Sequence, residues 1–492
     1  MKRRIALKHI GAGLSAGLIL PAWLSSCKED DPKPQINYKG TVAVIGAGAA
    51  GLYAADYLLS KGVKVLLFEA SDRIGGRIRS LRPIEKPSPG LIVNSETPLS
   101  SDFPVELGAD RILGSNASWS KFIDLNNIAT VPLGGIEHDR YLIDGTVFNY
   151  AAIQNDPDFV AAKAFTDNLA TYNGGNVSVA DALNTAGINP SFNPVVNGWI
   201  GKQYGTQNDR LSAFGLADGL NLNQRDDVQL LLSKNPMNDA LRVSFASAVE
   251  KVQYNTVITN IDYTGDKVIL SGTKSGEAFT VEVDKVIVTV PLSVLKDGDI
   301  NFTPALPAQK NQALTRMDMD PTIRVVLDFR KNFWQDNEAD PELRFLYGGT
   351  EAAEYFNSGL GRSDVMKTLS ATITGAKAEA LSALGMDMVP VLLSDLDQFF
   401  PDQATTNIRK DMGGNAIVVI QDWGKEPYIK GGVAYLKPGA TNADRENLAA
   451  SIGDKVFFAG EATDTQGEFG TINGALQSAE RAALEVIAAI TA

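Results

Sequence analysis

The first strong pattern of apolar and polar positions lies between residues 41 and 69. Val42 to Ile45 is a continuous apolar run with β-branched residues, which is typical of a parallel strand buried on both faces. The run breaks at Gly46-Ala47-Gly48-Ala49-Ala50-Gly51, and we predict a helix from Leu52 to Leu59 that ends at Gly62. Val63 to Phe68 then forms a second strand. The pattern therefore predicts a strand, a glycine-rich turn, a helix and another strand.

The glycine-rich turn has the spacing of a nucleotide-binding loop. Gly46 allows the tight turn, Gly48 lets a pyrophosphate approach the backbone, and Gly51 lets the helix pack closely on the strand. The N-terminus of this helix, with Ala50 in the turn before it, would direct unpaired N–H groups and a positive dipole end at the phosphates. Glu69 ends the second strand, about 20 residues on, where a carboxylate meets ribose hydroxyls and repels a 2′-phosphate. These residues predict a dinucleotide other than NADP.

The next segment distinguishes FAD from NAD. It reads Glu69-Ala70-Ser71-Asp72-Arg73-Ile74-Gly75-Gly76-Arg77 and resembles the second fingerprint of the two-dinucleotide-binding-domain flavoproteins. The resemblance implies that Gly76 lets the chain pass close to FAD, that Arg77 lies along the cofactor, and that Ala70 also belongs to the cofactor site. We therefore expect FAD.

Charge and composition restrict the partners. The chain has 492 residues, of which 44% are apolar, so two or three lobes with a substantial core are expected. Its formal charge of −13 argues against nucleic acid and mildly favours cationic substrates, although an acidic surface also serves solubility. We expect a small-molecule partner and no nucleic acid.

The N-terminal residues predict export. Lys2, Arg3 and Arg4 precede an apolar run from Ile10 to Leu24 that is too short to span a bilayer comfortably, and residues 1–27 resemble a twin-arginine signal peptide. Leu24-Ser25-Ser26-Cys27 resembles a bacterial lipobox, the alternative being a chance cysteine after an ordinary signal. Residues 28–39 are predicted to form a solvated tether. The protein is then periplasmic or on the cell surface, and it contacts the membrane only through a lipid at Cys27.

The chain lacks the residues for several other kinds of catalysis. Cys27 is the only cysteine, and His9 and His138 are the only histidines. If Cys27 carries a lipid, no thiol remains for a metal site or a nucleophile, and we expect no metal. A Ser-His-Asp triad would depend on His138 alone, which lies in a polar context without a nucleophile elbow. The chemistry must therefore come from a cofactor.

Motifs in the rest of the chain resemble those of the flavin-containing amine oxidase family, which includes monoamine, polyamine and L-amino acid oxidases. Glu106-Leu107-Gly108-Ala109 matches the family's E-L-G-A segment beside the isoalloxazine ring, and Ala459-Gly460-Glu461-Ala462-Thr463 matches A-G-E-x-T. Gly470-Thr471-Ile472-Asn473-Gly474-Ala475 opens a helix that in the family aims its N-terminus at the flavin pyrimidine. The resemblance adds to the cofactor-binding residues Gly108, Ala109, Val257, Gly460, Glu461, Thr471 and Ile472.

The resemblance implies an α/β fold, with an FAD-binding Rossmann-like domain and a discontinuous α+β substrate domain. Residues 40–112, 238–296 and 423–492 would form the FAD-binding domain, and residues 113–237 and 297–422 the substrate-binding domain. Within these, 83–104 is expected to be a loop, because it is rich in Pro, Ser and Gly. The sequence Pro236-Met237-Asn238-Asp239 departs from the family, which has a glycine pair there.

The family mechanism implies that a neutral amine gives a hydride from its α carbon to flavin N5, and that O2 reoxidises the flavin to release H2O2. Arg324 occupies the position where the family has a lysine that holds a water near N5. A guanidinium stays charged and presents a planar fork instead of a point donor, so the usual geometry for oxygen activation is altered. Both an oxidase and a dehydrogenase therefore stay open. The absence of a suitable cysteine implies that FAD is bound noncovalently.

Three further residues bear on the substrate. The family's aromatic cage is altered, since its two positions correspond to Val433-Ala434-Tyr435 and Thr471, which leaves Tyr435 as the single candidate aromatic. Trp423 is expected to wall the flavin. Arg111, in Gly108-Ala109-Asp110-Arg111, has the spacing with which L-amino acid oxidases grip a carboxylate, although it could equally pair with Asp110.

The leading hypothesis is an FAD-dependent amine oxidase. An L-amino acid oxidase is the alternative that depends on Arg111. A desaturase or oxidase of a carbon skeleton shares the same scaffold, and a surface lipoprotein that holds FAD without catalysis is the alternative outside enzymes.

Overall fold

The computed structural model describes most of the chain after residue 34. The described stretches are 35–81, 88–100, 104–335, 342–362 and 366–492. The predicted signal segment 1–27, with Cys27, lies outside them. Within these stretches, none of the helices combines the length and apolar character that crossing a bilayer requires.

A five-stranded parallel sheet carries the glycine-rich turn. In spatial order its strands are Val456–Phe458, Lys285–Val288, Thr41–Ile45, Lys64–Phe68 and Val252–Gln253. The strand Thr41–Ile45 is therefore the central one of the sheet, and its residues 42–45 are buried, as their apolar character predicts. The sheet is assembled from segments that lie far apart in sequence.

Two helices pack on one face of this sheet. The first, Ala49–Ser60, begins at the glycine-rich turn, and the last, Ile472–Thr491, closes the chain. They pack against each other through small and aliphatic residues such as Ala54, Leu58 and Ala479. The two helices therefore begin on the same side of the sheet, beside the carboxyl ends of its strands.

A four-stranded sheet adjoins the parallel one. It contains the hairpin Val268–Lys274 with Glu277–Val283, together with Thr256–Asp262 and the parallel strand Asn301–Thr303. The strands Val252–Gln253 and Thr256–Asp262 belong to different sheets, and between them Asn255 adopts a left-handed conformation with φ of 51° that turns the chain from one sheet to the other.

An eight-stranded, largely antiparallel sheet forms the base of the second lobe. In spatial order its strands are Leu91–Val93, Val418–Asp422, Thr322–Asp328, Thr368–Thr374, Glu354–Asn357, Phe345–Tyr347, Arg140–Ile143 and Thr146–Asn149. The loop predicted over 83–104 was therefore wrong at Leu91–Val93, which pairs with the strand Val418–Asp422. Leu91 is buried there against Val326 and Val419, a long-range contact that the local composition does not reveal.

Smaller elements complete the two lobes. Ile112–Leu113, Gln229–Leu232 and Thr130–Pro132 form a three-stranded sheet, and Met317–Met319 pairs with Ala434–Leu436. The remaining α-helices are Ser118–Leu125, Tyr150–Ile153, Pro157–Asp167, Val179–Thr185, Asn193–Trp199, Ala213–Leu220, Met237–Ser244, Ala246–Val249, Leu292–Lys296, Ala308–Arg316, Gly375–Leu384, Met388–Asp397, Gln403–Asn407 and Asn442–Ala449.

The segment Pro236-Met237-Asn238-Asp239, which stands where the family has a glycine pair, begins the helix Met237–Ser244. The backbone N–H of Met237 donates to Glu106 Oε1 over 2.8 Å, and that of Asn238 donates to Ser80 Oγ over 3.1 Å. Because side chains satisfy the first N–H groups of this helix, the start is held without glycine.

Candidate functional site

One large cavity lies between the two lobes, with a volume of about 870 Å³. Its wall includes Gly46, Glu69 and Gly460, each at or just beyond the carboxyl end of a parallel strand, and Arg324 and Thr372 from the eight-stranded sheet. Ligands of open α/β sheets bind at the carboxyl ends of the strands. The cavity therefore joins a nucleotide-binding edge to the surface of the second lobe.

The glycine-rich turn leaves room for a phosphate group. Gly48 precedes the helix Ala49–Ser60, and a Cβ added to Gly48 would meet nothing within 4 Å. No side chain caps the helix, and Ala49 and Ala50 of its first turn line the cavity. Gly51 lies outside the cavity wall, where a Cβ would come within 1.8 Å of the Gly46 carbonyl oxygen. Gly51 thus serves close packing, and Gly48 provides the opening.

Glu69 is held rigidly at the end of the second strand. Its Oε2 accepts a hydrogen bond from the N–H of Ala47 over 2.7 Å, and its Oε1 accepts from the N–H and hydroxyl of Ser71. An ionised carboxylate has about four acceptor positions, so about one remains. Because Glu69 lines the cavity, the remaining position suits a ribose hydroxyl.

An ion pair between Arg77 and Glu461 joins two segments of the cavity wall that lie far apart in sequence. Arg77 Nη1 donates to Glu461 Oε1 over 2.7 Å and to the carbonyl oxygen of Gly432 over 2.8 Å. Glu461 also accepts from the N–H groups of Ala434 and Gly470. Since both charged residues line the cavity, they form a fixed part of its wall.

The last helix points its N-terminus into the cavity. Thr471 caps it, since its hydroxyl accepts from the N–H of Gly474 over 3.1 Å and donates to the Glu468 carbonyl oxygen over 2.6 Å. Thr471 and Ile472 line the cavity. The positive end of the helix dipole would stabilise negative charge at this point.

These features fit FAD. The open space at Gly48 and the helix N-terminus behind it suit a pyrophosphate, and Glu69 suits a ribose. The far helix N-terminus at Ile472 suits a group that becomes negatively charged on reduction.

Five charged side chains form an alternating string beside the flavin-binding residues. In order they are Lys202, Glu354, Arg111, Asp110 and Arg324, and the contacts between neighbours measure 2.5, 3.4, 3.1 and 2.8 Å. All except Glu354 line the cavity, and no side chain is more than 14% exposed. With every group ionised, the string carries one net positive charge.

Burial and neighbouring charges decide the protonation of this string. Burial would raise the pKa of Asp110, but Arg324 and Arg111 outweigh it and lower that pKa far below its ordinary value. The pKa of Glu354 is also lowered, because Lys202 and Arg111 outweigh burial. The pKa of Lys202 falls to about 8, mainly through burial and then through the charge of Arg111. Lys202 is therefore the one member whose proton can leave near neutral pH.

Arg324 is fixed by its carboxylate partner. Its Nη2 donates to Asp110 Oδ2 over 2.8 Å and to the Gly108 carbonyl oxygen over 3.3 Å, while Nη1 is buried without a hydrogen-bond partner among the described residues. Arg111 uses Nε for Asp110 and Nη2 for Glu354, and it lies over the ring of Phe345. The pairing of Arg111 with Asp110 that the sequence left open is present.

The aromatic wall differs from the sequence prediction. Tyr435 was expected in the cage, but it is buried outside the cavity wall and its hydroxyl donates to Asp320 Oδ1 over 3.0 Å. Val433 lines the cavity instead. Tyr204 and Phe469, which the sequence analysis missed, line the cavity with ring centroids 5.6 Å apart.

The remaining predicted residues meet in the cavity wall. Trp423 lines it and donates from Nε1 to the Leu107 carbonyl oxygen over 3.0 Å. Gly51 and Tyr435 are the two predicted residues that do not line it. Those that do are Gly46, Gly48, Ala50, Glu69, Ala70, Gly76, Arg77, Gly108, Ala109, Arg111, Val257, Arg324, Trp423, Gly460, Glu461, Thr471 and Ile472.

Solved structures with the same fold are known. The chain resembles cyclohexylamine oxidase from Brevibacterium oxydans IH-35A, with a TM-score of 0.72, 20% identity and coverage of 92% of this chain and 100% of that one. It also resembles wild-type putrescine oxidase bound to putrescine, with a TM-score of 0.72, 18% identity and coverage of 91% and 99%. At these identities the likeness shows the fold.

Curated relatives extend the comparison to sequence. Lysine-specific histone demethylase 1 homolog 1 of Oryza sativa subsp. japonica is 27% identical over 479 residues, with 91% of this chain and 52% of the relative covered. Human lysine-specific histone demethylase 2 is 25% identical over 495 residues, with 96% and 56% covered. The chain thus spans about half the length of these relatives. The family model for flavin containing amine oxidoreductases matches residues 49–190 and 205–487, and this chain, an FAD-dependent enzyme, belongs to that family.

Proposed function

We propose that the enzyme oxidises a small-molecule amine by removing a hydride from the carbon next to nitrogen, and that O2 is the final acceptor. Bound FAD would supply the hydride acceptor and the redox chemistry by which O2 becomes H2O2, and the product imine would hydrolyse. The observation that carries this proposal is that one cavity contains the nucleotide cradle, the aromatic pair Tyr204 and Phe469, and the charged string. A substrate packed against this aromatic pair would lie in the same cavity as the cofactor.

The residues around the cavity position the reactants. Tyr204 and Phe469 present aromatic surface to a substrate, and Trp423 closes another part of the wall. The helix N-terminus at Ile472 would stabilise charge as it develops on the cofactor. Orientation and electrostatics are the contributions that a protein makes to cofactor chemistry.

The charged wall argues against a carbon-skeleton substrate. A desaturase for a lipid-like molecule would be expected to have long apolar walls, whereas Lys202, Arg111 and Arg324 all line this cavity. An L-amino acid is a less favoured substrate, because Nε and Nη2 of Arg111 are already bound to Asp110 and Glu354. We therefore favour an amine without a carboxylate.

The test is anaerobic absorbance of the holoenzyme with putrescine, cyclohexylamine, benzylamine and L-leucine, followed by air. Bleaching that reverses in air with release of H2O2 supports the proposal. Bleaching that air does not reverse contradicts the choice of O2, and reduction by dithionite followed by air is the control for that step. Bleaching by L-leucine alone contradicts the preference for amines without a carboxylate.

We propose further that the protein is exported and anchored by a lipid at Cys27. The basic residues Lys2 to Arg4, the short apolar run and the lipobox-like sequence support this proposal. Membrane fractionation of the full chain and of Cys27→Ser tests it. The proposal fails if both proteins are recovered in the same fraction.

A further inference from the structure

Lys202 lines the same cavity as the aromatic pair Tyr204 and Phe469. It belongs to the short 3₁₀ turn Gly201–Tyr204, so it shares a turn with Tyr204 of the aromatic pair. The residue lines the cavity, and its side chain is 6% exposed. Its Nζ contacts Glu354 Oε1 at 2.5 Å. A primary amine is therefore held at the wall against which an incoming amine would lie.

We propose that Lys202 is the base that accepts the proton of the substrate ammonium before the hydride leaves. This inference rests on the proposed function. In the step, an N–H bond of the substrate ammonium breaks, its electron pair stays on the substrate nitrogen, and the proton forms a new N–H bond on Lys202 Nζ. The charge moves from substrate to Lys202, and nothing is oxidised. The freed lone pair then forms the C=N bond as the C–H bond breaks and hydride goes to the acceptor that bound FAD would supply, which leaves a protonated imine.

The string of charges supports this assignment. The groups that face Lys202 from neighbouring elements are Glu354, with the Tyr347 hydroxyl beside it, Arg111, Asp110 and Arg324. Two guanidinium groups cannot release a proton near neutral pH, and both carboxylates stay ionised. When Lys202 is neutral, the string carries no net charge, and an ammonium can approach it. When Lys202 has taken the proton, Glu354 at 2.5 Å stabilises the new cation.

The family resemblance did not indicate this residue. The position that corresponds to the family's lysine holds Arg324, which is paired with Asp110. Lys202 reaches the cavity from a different element, and its chemistry differs from that of a guanidinium because its proton can leave. Lys202 is therefore the catalytic residue of this pair, and Arg324 carries a permanent charge.

The kinetic test compares the rate of anaerobic bleaching by cyclohexylamine across pH 6 to 10 for the wild type, Lys202→Met and Lys202→Arg. We expect the wild-type rate to fall as the pH drops below about 8, where Lys202 becomes protonated. Both variants should lose about 10²-fold or more of the rate at pH 8, the contribution of a general base. The loss should shrink as pH approaches the pKa of cyclohexylamine, because free amine then needs no base.

A matched control is Lys310→Met. Lys310 is also a buried lysine with a lowered pKa, but it lies outside the cavity wall and donates to backbone carbonyls at the end of the helix Asn442–Ala449. This variant should be less stable yet keep the wild-type pH profile. A Lys202→Met enzyme with the wild-type rate and profile overturns the inference.

Chemical rescue distinguishes loss of the amine at position 202 from a loss of folding. In a chain with Cys27→Ser, a cysteine introduced by Lys202→Cys is the only thiol, since the chain has one cysteine. Alkylation with 2-bromoethylamine rebuilds a lysine-like amine at 202 and should restore the rate, whereas alkylation with iodoacetamide should not. Equal rates after both treatments overturn the inference.

A measurement without substrate keeps the two proposals distinct. Acetylation of the holoenzyme by acetic anhydride at graded pH, read by peptide mass spectrometry, reports the neutral fraction of Lys202, with the exposed Lys64 as reference. Half-maximal labelling near pH 8 supports the inference, and labelling only near the ordinary value of about 10.4 overturns it. A wild-type enzyme that none of the amines bleaches contradicts the proposed function, whatever the labelling curve.

Discussion

Arg324 donates from Nη2 to Asp110 Oδ2 over 2.8 Å, and both side chains are buried in the cavity wall. The contact joins the strand Thr322–Asp328 to the segment that contains Gly108 and Ala109, which line the cavity. A guanidinium remains charged at any working pH, so the pair cannot exchange a proton with the substrate. Its role is to keep a carboxylate ionised inside the protein.

Removing one partner of this pair should destabilise the fold. Arg324→Met leaves the buried carboxylate of Asp110 with Arg111 alone, and breaking a buried ion pair costs about 3–5 kcal/mol. Urea unfolding of the variant and the wild type measures the loss. In the double variant Arg324→Met, Asp110→Asn the stranded charge is absent, so part of the stability should return. Equal stability of the single and double variants would show that the charge is not the cause.

Arg111→Ala should move the pH dependence of bleaching upward. The charge of Arg111 is the second cause, after burial, of the low pKa of Lys202, so its removal raises that pKa. The rate at pH 7 should fall further below its plateau than in the wild type, and the bleaching rate of cyclohexylamine across pH measures this. Arg111→Lys keeps the charge and is the control. A loss confined to L-leucine would instead show that Arg111 binds a carboxylate.

Tyr435 and Tyr204 should behave differently when altered. Tyr435→Phe removes the hydrogen bond to Asp320 and should cost about 1 kcal/mol of stability without changing bleaching, because Tyr435 lies outside the cavity. Tyr204→Leu removes half of the aromatic pair and should raise the KM for cyclohexylamine by up to about tenfold, since an aromatic contact contributes about 0.5–1.5 kcal/mol. Phe469→Leu should match Tyr204→Leu. A change of KM in Tyr435→Phe would contradict this placement.

The nucleotide end of the cavity could be predicted because its signals are local. Gly46, Gly48 and Glu69 lie within one strand, turn, helix and strand, and each is needed for a stated backbone or charge reason. Tyr435 could not be placed in the same way. Ala434–Leu436 is buried throughout, and which of its side chains face the cavity depends on pairing with Met317–Met319, since a shift of one residue exchanges the faces of a strand.

The charged string depends on contacts between distant segments. Lys202 and Glu354 come from different elements, and no periodicity brings them together before the chain folds. The sequence does contain one indication, because Lys202 follows Trp199 and Ile200 and precedes Tyr204. A lysine in such an apolar context is either buried with a partner or functional, since lysine is almost never fully buried alone.

Substitutions at Gly48 and Gly51, in the same turn, should distinguish an effect on cofactor binding from an effect on folding. Gly48 has a φ of −75°, which any residue can adopt, and an added Cβ would meet nothing within 4 Å. Gly48→Ala should therefore fold normally, but its methyl group would occupy the space next to the phosphates. Overpacking costs about 1–3 kcal/mol, so the Kd for FAD should rise by about 5- to 150-fold, as measured by titration of the flavin-free protein.

Gly51→Ala is the matched comparison, because the same methyl group would lie 1.8 Å from the Gly46 carbonyl oxygen and force the helix away from the strand. This variant should unfold at lower urea concentration than the wild type even without FAD, while Gly48→Ala without FAD should unfold like the wild type. If Gly48→Ala is equally destabilised in the absence of FAD, then Gly48 maintains the turn itself, and the open space beside it is not a phosphate site. If Gly48→Ala without FAD is instead as stable as the wild type, the difference between the two variants isolates the contribution of the open space to cofactor binding.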